Sequence, residues 1–353
     1  MRVLHKAGLA LAVANMACSS ADSDVKHACR DCADSRVIGE LHFATAPTLP
    51  SEGGLLVQSP SGARYAFVDR NVPYEVLLFD SGGGYRTKLG DHGDGPGQFD
   101  RVHAVAFDRE GNLWVVSHAG RRLQLFDPDL ELLETIQLAY SVADLVPARG
   151  GMAAAMFRES MGYVGLLDRS GEIQLLWQDS VPGGSNFPSG VADLVTSADG
   201  SVLFAREFEY SVSRSYADGT LREVLGTEPD WFRSEYPQQV LDAVPRINTR
   251  GSTIWDLAIA DDTLWITTAV PSLNVTIDEL QRFLEDPPSF GTEFQEALLD
   301  FVVEAVDLAT GEPVVGASRI SGVSFGPLEY RVATPELVEI LALQRRSDET
   351  DQD

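Results

Sequence analysis

From Val37 onward, apolar residues come in short runs punctuated by Gly, Asp, Ser and Pro. "ARYAFVD", "NLWVVSH", "MAAAMF", "SVLFARE", "TLWITTA" and "LEYRVAT" are too short for helices and rich in β-branched and aromatic residues, so they predict strands. Each follows a tight turn: "SPSG" (59–62), "DREG" (108–111), "ARGG" (148–151), "SADG" (197–200), "IADD" (259–262) and the weaker "SFGP" (324–327). In five of these units a further apolar run ends in an aspartate, namely Asp80, Asp127, Asp168, Asp218 or Asp307. An Asp carboxylate can bond backbone amides two residues on, so these residues predict a second turn and a structural role.

A unit of roughly 40–50 residues with four strands, repeated along a chain, is the pattern of propeller blades. The spacing therefore predicts an all-β fold, a six-bladed β-propeller. The last unit is a strand short, while "RVIGELHFA" (Arg36 to Ala44) precedes the first unit and belongs to none. It can complete the last blade and remove a free sheet edge. Two insertions interrupt the repeat. Gly226 to Arg250 groups Trp231, Phe232 and Tyr236, the candidate contacts of a binding loop on one face. Thr276 to Leu298, in blade five, opens with a T-x-x-E capping box (Thr276, Glu279) and continues with Leu280, Phe283 and Leu284 at helical spacing until Pro287. It predicts a small helix that covers part of one face or acts as a lid.

"GDHGDGPGQF" (Gly90 to Phe99) joins units one and two. It is not a dinucleotide loop: Gly95 and Gly97 are followed by Asp100 where the third glycine should stand, and a strand comes next. The Gly-Lys-Ser/Thr ending of a Walker loop and the spaced acids of an EF-hand are also missing. The glycines here serve backbone conformation. Gly93, Gly95 to Phe99, Val105 to Asp108, Gly111 to Val115 and Leu123 to Asp127 resemble the NHL repeat. The likeness covers one blade, with Ser117 and His118 in place of the usual Asp at the end of its second strand. The whole is similar to six-bladed propeller lipoproteins of bacteria, a resemblance that implies the fold and carries no catalytic residues.

The formal net charge of −26 repels nucleic acid, and no Lys/Arg cluster offsets it. The N-terminus reads as a targeting segment. Arg2 and Lys6 precede the apolar run 7–17, which rises only about 16 Å as a helix and is too short to span a bilayer. Ala17-Cys18 fits a lipoprotein signal, with Cys18 lipidated, although Asn15 stands where an aliphatic residue is usual; an ordinary secretory peptide is the alternative. The expected organisation is a signal peptide (1–17), a lipidated tether (18–35), the propeller (36–346) and an acidic tail (347–353). Cys29 and Cys32 form a lone CxxC, read as a small disulfide or a redox pair.

Candidate chemistry is sparse, with no nucleophile elbow and no H-E-x-x-H helix. "SVADLVP", "GVADLVT" and "TIWDLAI" place Asp144, Asp193 and Asp256 at one aligned position on the first strands of units three, four and five, with Ala104 and Gly54 at or near that place in units two and one. First strands line a propeller's channel. Converging carboxylates raise one another's pKa or bind a cation, with Ca2+ the candidate; alternatively each bonds backbone amides of the next blade. His103 lies beside the same ring. The leading functional expectation is a monomeric cell-envelope scaffold, an outer-membrane lipoprotein touching the membrane only through its anchor. It would bind an envelope protein, peptide or glycan on one face. The alternative is a metal-dependent hydrolase or lyase working at the channel.

Overall fold

The computed structural model describes residues 33–50, 54–69, 71–180, 191–206, 209–216, 219–225, 228–229, 231–232, 252–260, 262–271, 299–320 and 329–345. Among them every regular element is a strand, and the strands form six antiparallel sheets. Strand β1 (Ala33–His42) comes first in the chain. Blade one is β2 (Leu55–Gln58), β3 (Arg64–Val68), β4 (Val76–Asp80) and β5 (Tyr85–Leu89). Blade two is β6 (Ala104–Phe107), β7 (Leu113–Ser117), β8 (Arg122–Phe126) and β9 (Leu132–Gln137). Blade three is β10 (Ser141–Ala148), β11 (Gly151–Arg158), β12 (Met161–Leu167) and β13 (Ile173–Ser180). Blade four is β14 (Val191–Thr196), β15 (Val202–Arg206), β16 (Val212–Ser215) and β17 (Leu221–Glu223). Blade five is β18 (Thr253–Ala260), β19 (Thr263–Pro271), β20 (Leu299–Asp307) and β21 (Pro313–Ile320). Strands β22 (Glu329–Thr334) and β23 (Leu337–Arg345) complete the chain, and the sixth sheet runs β1-β23-β22.

The second-turn aspartates act as the sequence requires. One oxygen of Asp80 accepts from the amides of Gly82 and Gly84 at 2.9 and 3.0 Å. Asp127 and Asp168 do the same two and four residues on, and Asp307 bonds Ala309 and Thr310. Asp218 lies outside the described residues. In the first turn of blade two, the buried Asp108 accepts from the Asn112 amide (2.8 Å), Asn112 Nδ2 (2.8 Å), Trp114 Nε1 (3.1 Å) and, from blade three, Arg169 (3.0 Å). Burial alone would raise its pKa, but these donors hold it below the ordinary carboxylate value.

The glycine-rich link is a packed connection. Gly90 has φ +92°, and a Cβ there would lie 2.3 Å from the Phe99 ring, which is fully buried between blades one and two. Gly97, at φ +73°, donates its amide to Gln124 Oε1 at 2.6 Å, and Gln124 Nε2 returns a bond to the Gln98 carbonyl. Gln124, fully buried on β8, thereby pins the loop to the blade that follows it.

Apolar clusters fill the spaces between neighbouring blades. Between the last and first blades, Leu41 and Phe43 join Val338 and Ile340 against Phe67 and Phe79. The Phe43 ring meets Phe67 edge-on at 5.3 Å and tilts over Phe79 at 4.8 Å. β1 pairs β23 antiparallel from Ala33↔Arg345 to His42↔Leu337, so the N-terminal segment does complete the last sheet. It begins at Ala33, inside the stretch expected to be tether. The helix expected within Thr276 to Leu298 lies outside the described residues.

Phe43→Ala should cost about 3–5 kcal/mol, the usual penalty for emptying a buried aromatic site. It should do so by opening the seam between first and last blades, so hydrogen exchange should quicken in β1 and β23 before it does in β7 or β11. Uniform loss of protection around the ring would mean that the seam is no weaker than any other blade junction.

Candidate functional site: the axial cavity and its carboxylate arc

The innermost strands of blades three, four and five share a local defect. Pairing with the second strand slips between Val142 and Asp144, between Val191 and Asp193, and between Ile254 and Asp256. Each slip is a bulge holding one extra residue. Regular alternation would send residues three apart to opposite faces. The bulge instead lets Val142 and Leu145 enter the same core, as it does Val191 with Leu194 and Ile254 with Leu257. The aspartate between them is re-aimed out of that core. Strands β2 and β6 pair without a slip.

Asp193 stands between the other two aspartates: it feels the charge of Asp144 and is hydrogen-bonded to Asp256. Asp144 accepts from its neighbour Leu145 at 2.8 Å and from the Leu194 amide in blade four. Asp193 accepts from the Leu257 amide in blade five at 2.6 Å and hydrogen-bonds Asp256. The Leu194 and Leu257 bonds each reach one blade forward. Burial pushes Asp144 up to about 6. Burial, and then the charge of Asp144, push Asp193 well above the ordinary carboxylate value. The donor set differs from the expected Ca2+ site: these oxygens are engaged by amide donors and by one another. Among the described residues, no three His, Cys, Asp or Glu side chains are grouped as a metal ion requires. His103 is exposed and bonds through its backbone to Val116.

Beside the arc lies a cavity of about 850 Å³. The second halves of the inner strands line it, with Pro147, Val195, Thr196, Ala258 and Ile259 half-buried there, and Ser59–Gly62 line it as well. Ile38 and Leu341 reach it from the closing sheet. Asp256 lines it directly and is 4% exposed, while Asp144 and Asp193 each stand one residue before a lining leucine.

The binding-loop residues sit elsewhere. Phe232 is buried, and Trp231 and Phe232 pack on Tyr210 with ring centroids 5.8 and 5.4 Å away. Phe232 is therefore a packing residue rather than an exposed contact; Tyr236, like Cys18, Cys29 and Cys32, lies outside the described residues. Tyr210 donates its hydroxyl to Glu304 on β20 at 2.7 Å, across blades four and five. Burial pushes Glu304 up to about 7, and burial together with Glu304 drives the Tyr210 phenol upward. The sequence offers no signal for this pair, whose partners are 94 residues apart.

A second unforeseen cluster lies on blade two. Ser117 Oγ is 2.9 Å from His118 Nδ1, and His118 Nε2 is 2.8 Å from Asp94. His118 and Ala119 both hold positive φ, at 54° and 56°. Ser117 is fully buried, so it cannot act as a nucleophile. The cluster ties the glycine-rich loop to the end of β7.

Residues 60–160 match the family model DUF5128, described as a six-bladed β-propeller. NHL repeat-containing protein 3 of Mus musculus is 32% identical over 68 residues, 16% of this chain and 20% of that protein; the Homo sapiens protein is 29% identical over the same length. The chain thus spans about a fifth of those relatives. A Bacteroides fragilis protein described as exported superposes with a TM-score of 0.59 at 10% identity, covering 91% of this chain and 98% of the other. A DUF4221 member from Bacteroides vulgatus gives 0.54 at 10% identity, covering 90% and 99%. The chain is a six-bladed β-propeller. Its NHL-like likeness is local, and the low identities to solved structures speak for the fold alone.

The propeller's raised carboxyls predict a pH dependence. In Glu304, Asp144 and Asp193 the folded state binds protons more tightly than the unfolded chain. Their contribution is complete at about pH 4 and is lost as pH rises toward about 7. The turn aspartates, held low by the Ser170 hydroxyl at Asp168 and by amide bonds, act oppositely and lose their contribution below about pH 4. Denaturant melts should therefore show stability falling between about pH 4 and 7. Glu304→Gln and Asp193→Asn, each mimicking the protonated form, should be near neutral at pH 4 and stabilising at pH 8. Glu304→Gln should gain up to about 3 kcal/mol. Equal effects at both pH values would show that the two carboxyls are ionised in the fold.

Proposed function

We propose that this protein is a non-catalytic binding propeller of the cell envelope whose ligand seats in the axial cavity. The observation carrying the proposal is the cavity itself. At about 850 Å³ it falls in the range of small-molecule sites, and it is walled by apolar side chains with few polar groups, the usual composition of such sites. Apolar walls suit a ligand with an apolar part better than a glycan. A protein or peptide partner would use the site by inserting one side chain or a chain end. The alternative of a metal-dependent hydrolase or lyase is not favoured, because the carboxylates it needs are engaged by the amides of Leu145, Leu194 and Leu257. Likeness in fold to a protein described as exported, together with the N-terminal segment read from the sequence as a leader, supports an envelope location.

Two experiments bear on this reading. Ligand-observed NMR with small aliphatic and aromatic fragments should give binders to the full mature chain. These should be lost in Ala258→Phe, which narrows the cavity at a half-buried lining position, and kept in Asp94→Asn in the link between blades one and two. Binding that survives Ala258→Phe would place the site elsewhere. Mass spectrometry of protein extracted from membranes should find Cys18 as a lipidated N-terminus; a free N-terminus at another residue would replace the anchor with simple secretion.

A further inference from the structure

Away from the axis, blades four and five meet through a buried polar contact. Strands β19 and β20 pair Thr268 with Val302 and Ile266 with Glu304, so Ile266, Thr268 and Glu304 share one face of blade five. Ile266 packs with Leu203, Ala205 and Val212, so that face is turned toward blade four. Thr268 is fully buried there and its hydroxyl has no hydrogen-bond partner. The partner of Glu304 is the Tyr210 hydroxyl at 2.7 Å, which comes from the loop between β15 and β16. The Tyr210 ring is in turn the platform for Trp231 and Phe232, at centroid distances of 5.8 and 5.4 Å, and those two rings meet at 6.1 Å. A chain of contacts thus runs from a carboxyl on blade five, through a phenol on blade four, to two rings of the insertion that begins at Gly226.

Among the described residues no cation acts on Glu304. Strand β19 carries no ionisable residue. On blade four, Arg206 is engaged by Glu209 at 2.8 Å, the Ser211 hydroxyl at 3.0 Å and Glu223 at 3.9 Å. Arg214 crosses to the Leu308 carbonyl and pairs with Asp199. Asp307, on the same strand as Glu304, is taken up by its turn, and the side chains of Asp300 and of Arg319 on β21 lie outside the described residues. An ionised Glu304 therefore has one phenol in exchange for its lost water. Burial outweighs that bond and pushes the carboxyl up to about 7. A charged Glu304 regains water only when the phenol lifts away, and the rings stacked on the phenol lose their platform with it.

We propose that the Tyr210–Glu304 bond is a proton-dependent latch, which holds Trp231 and Phe232 at the junction of blades four and five while Glu304 is protonated and releases them when it ionises. The proton passes to bulk water and no covalent bond changes. The latch does not involve the axial cavity and stands whether or not a ligand seats there. A released, hydrated Glu304 titrates near its ordinary 4.5 and the latched one near 7. The ratio of latched to released forms therefore falls about tenfold per pH unit between those values, roughly two orders of magnitude in all, and is flat outside them.

Fluorine NMR of the full mature chain labelled with 5-fluorotryptophan tests this. The chain has five tryptophans, and the signal missing in Trp231→Phe belongs to Trp231. Its solvent isotope shift between H2O and D2O, which reports exposure, should grow from about pH 5 to about pH 7.5 while the other four stay constant. In Glu304→Gln, which keeps a neutral side chain in that place, the Trp231 signal should hold its low-pH value throughout. Tyr210→Phe keeps the platform ring and removes the bond, so Trp231 should be more exposed than in the wild type even at low pH; this variant decides the matter if Glu304→Gln does not fold. A wild-type Trp231 signal indifferent to pH, the same pH response in Glu304→Gln, or all five signals moving together would overturn the latch. So would a Tyr210→Phe chain whose Trp231 is no more exposed than that of the wild type.

Discussion

Everything in this molecule depends on closing the ring. A blade is a sheet with two apolar faces, and it is stable only when both are covered. Five blades in a row would leave one exposed face at each end. The sixth sheet covers both, and it is built from the two ends of the chain: β1 zips onto β23, while Leu41 and Phe43 run on into the core of blade one. Residues more than 290 positions apart must therefore meet before the first blade has a complete neighbour. Such closure carries a loop entropy that grows only slowly with length, so it is thermodynamically affordable and kinetically late.

Much of this was legible in the sequence because it is local. The turn aspartates announce themselves by type and place, and four described ones bond the amides expected of them. The V-x-D-L and I-x-D-L strings carry a further signal, visible only in retrospect. Two apolar residues three apart on a strand can share a core only if a bulge lies between them, so the spacing of Val142 with Leu145 encodes both the bulge and the freed aspartate. What stayed hidden is whatever depends on how separate blades abut. Tyr210 and Glu304 have no sequence relationship, and Trp231 and Phe232, which look like a binding surface on a polar insertion, are drawn onto Tyr210 as packing. An aromatic group in a loop reads the same whether it faces water or a neighbouring blade.

The carboxylates fall into two electrostatic classes although they share one chemistry. Those in the turns sit at the surface and accept two or more amide bonds, which favours the charged form. Asp144, Asp193 and Glu304 are enclosed, with too few donors to offset the lost water, which favours the neutral form. The sequence shows an aspartate in each case; position within the blade decides its protonation. Among the described residues the turn aspartates stay charged at the surface, while burial shifts Asp144, Asp193 and Glu304 toward the neutral form.

That partition bears on function. Catalysis by carboxylates needs one to ionise or release a proton in step with substrate chemistry, with its oxygens free to meet the reacting atoms. In the arc, Asp144 and Asp193 are bound to the amides of Leu194 and Leu257, so they join blade to blade as much as they face the axis. Moving either oxygen toward a substrate would loosen an inter-blade bond. The arrangement suits a fixed surface that a ligand meets rather than a group that moves during turnover. On the binding function proposed above, a chamber held still by the architecture that builds it would discriminate among ligands chiefly by shape.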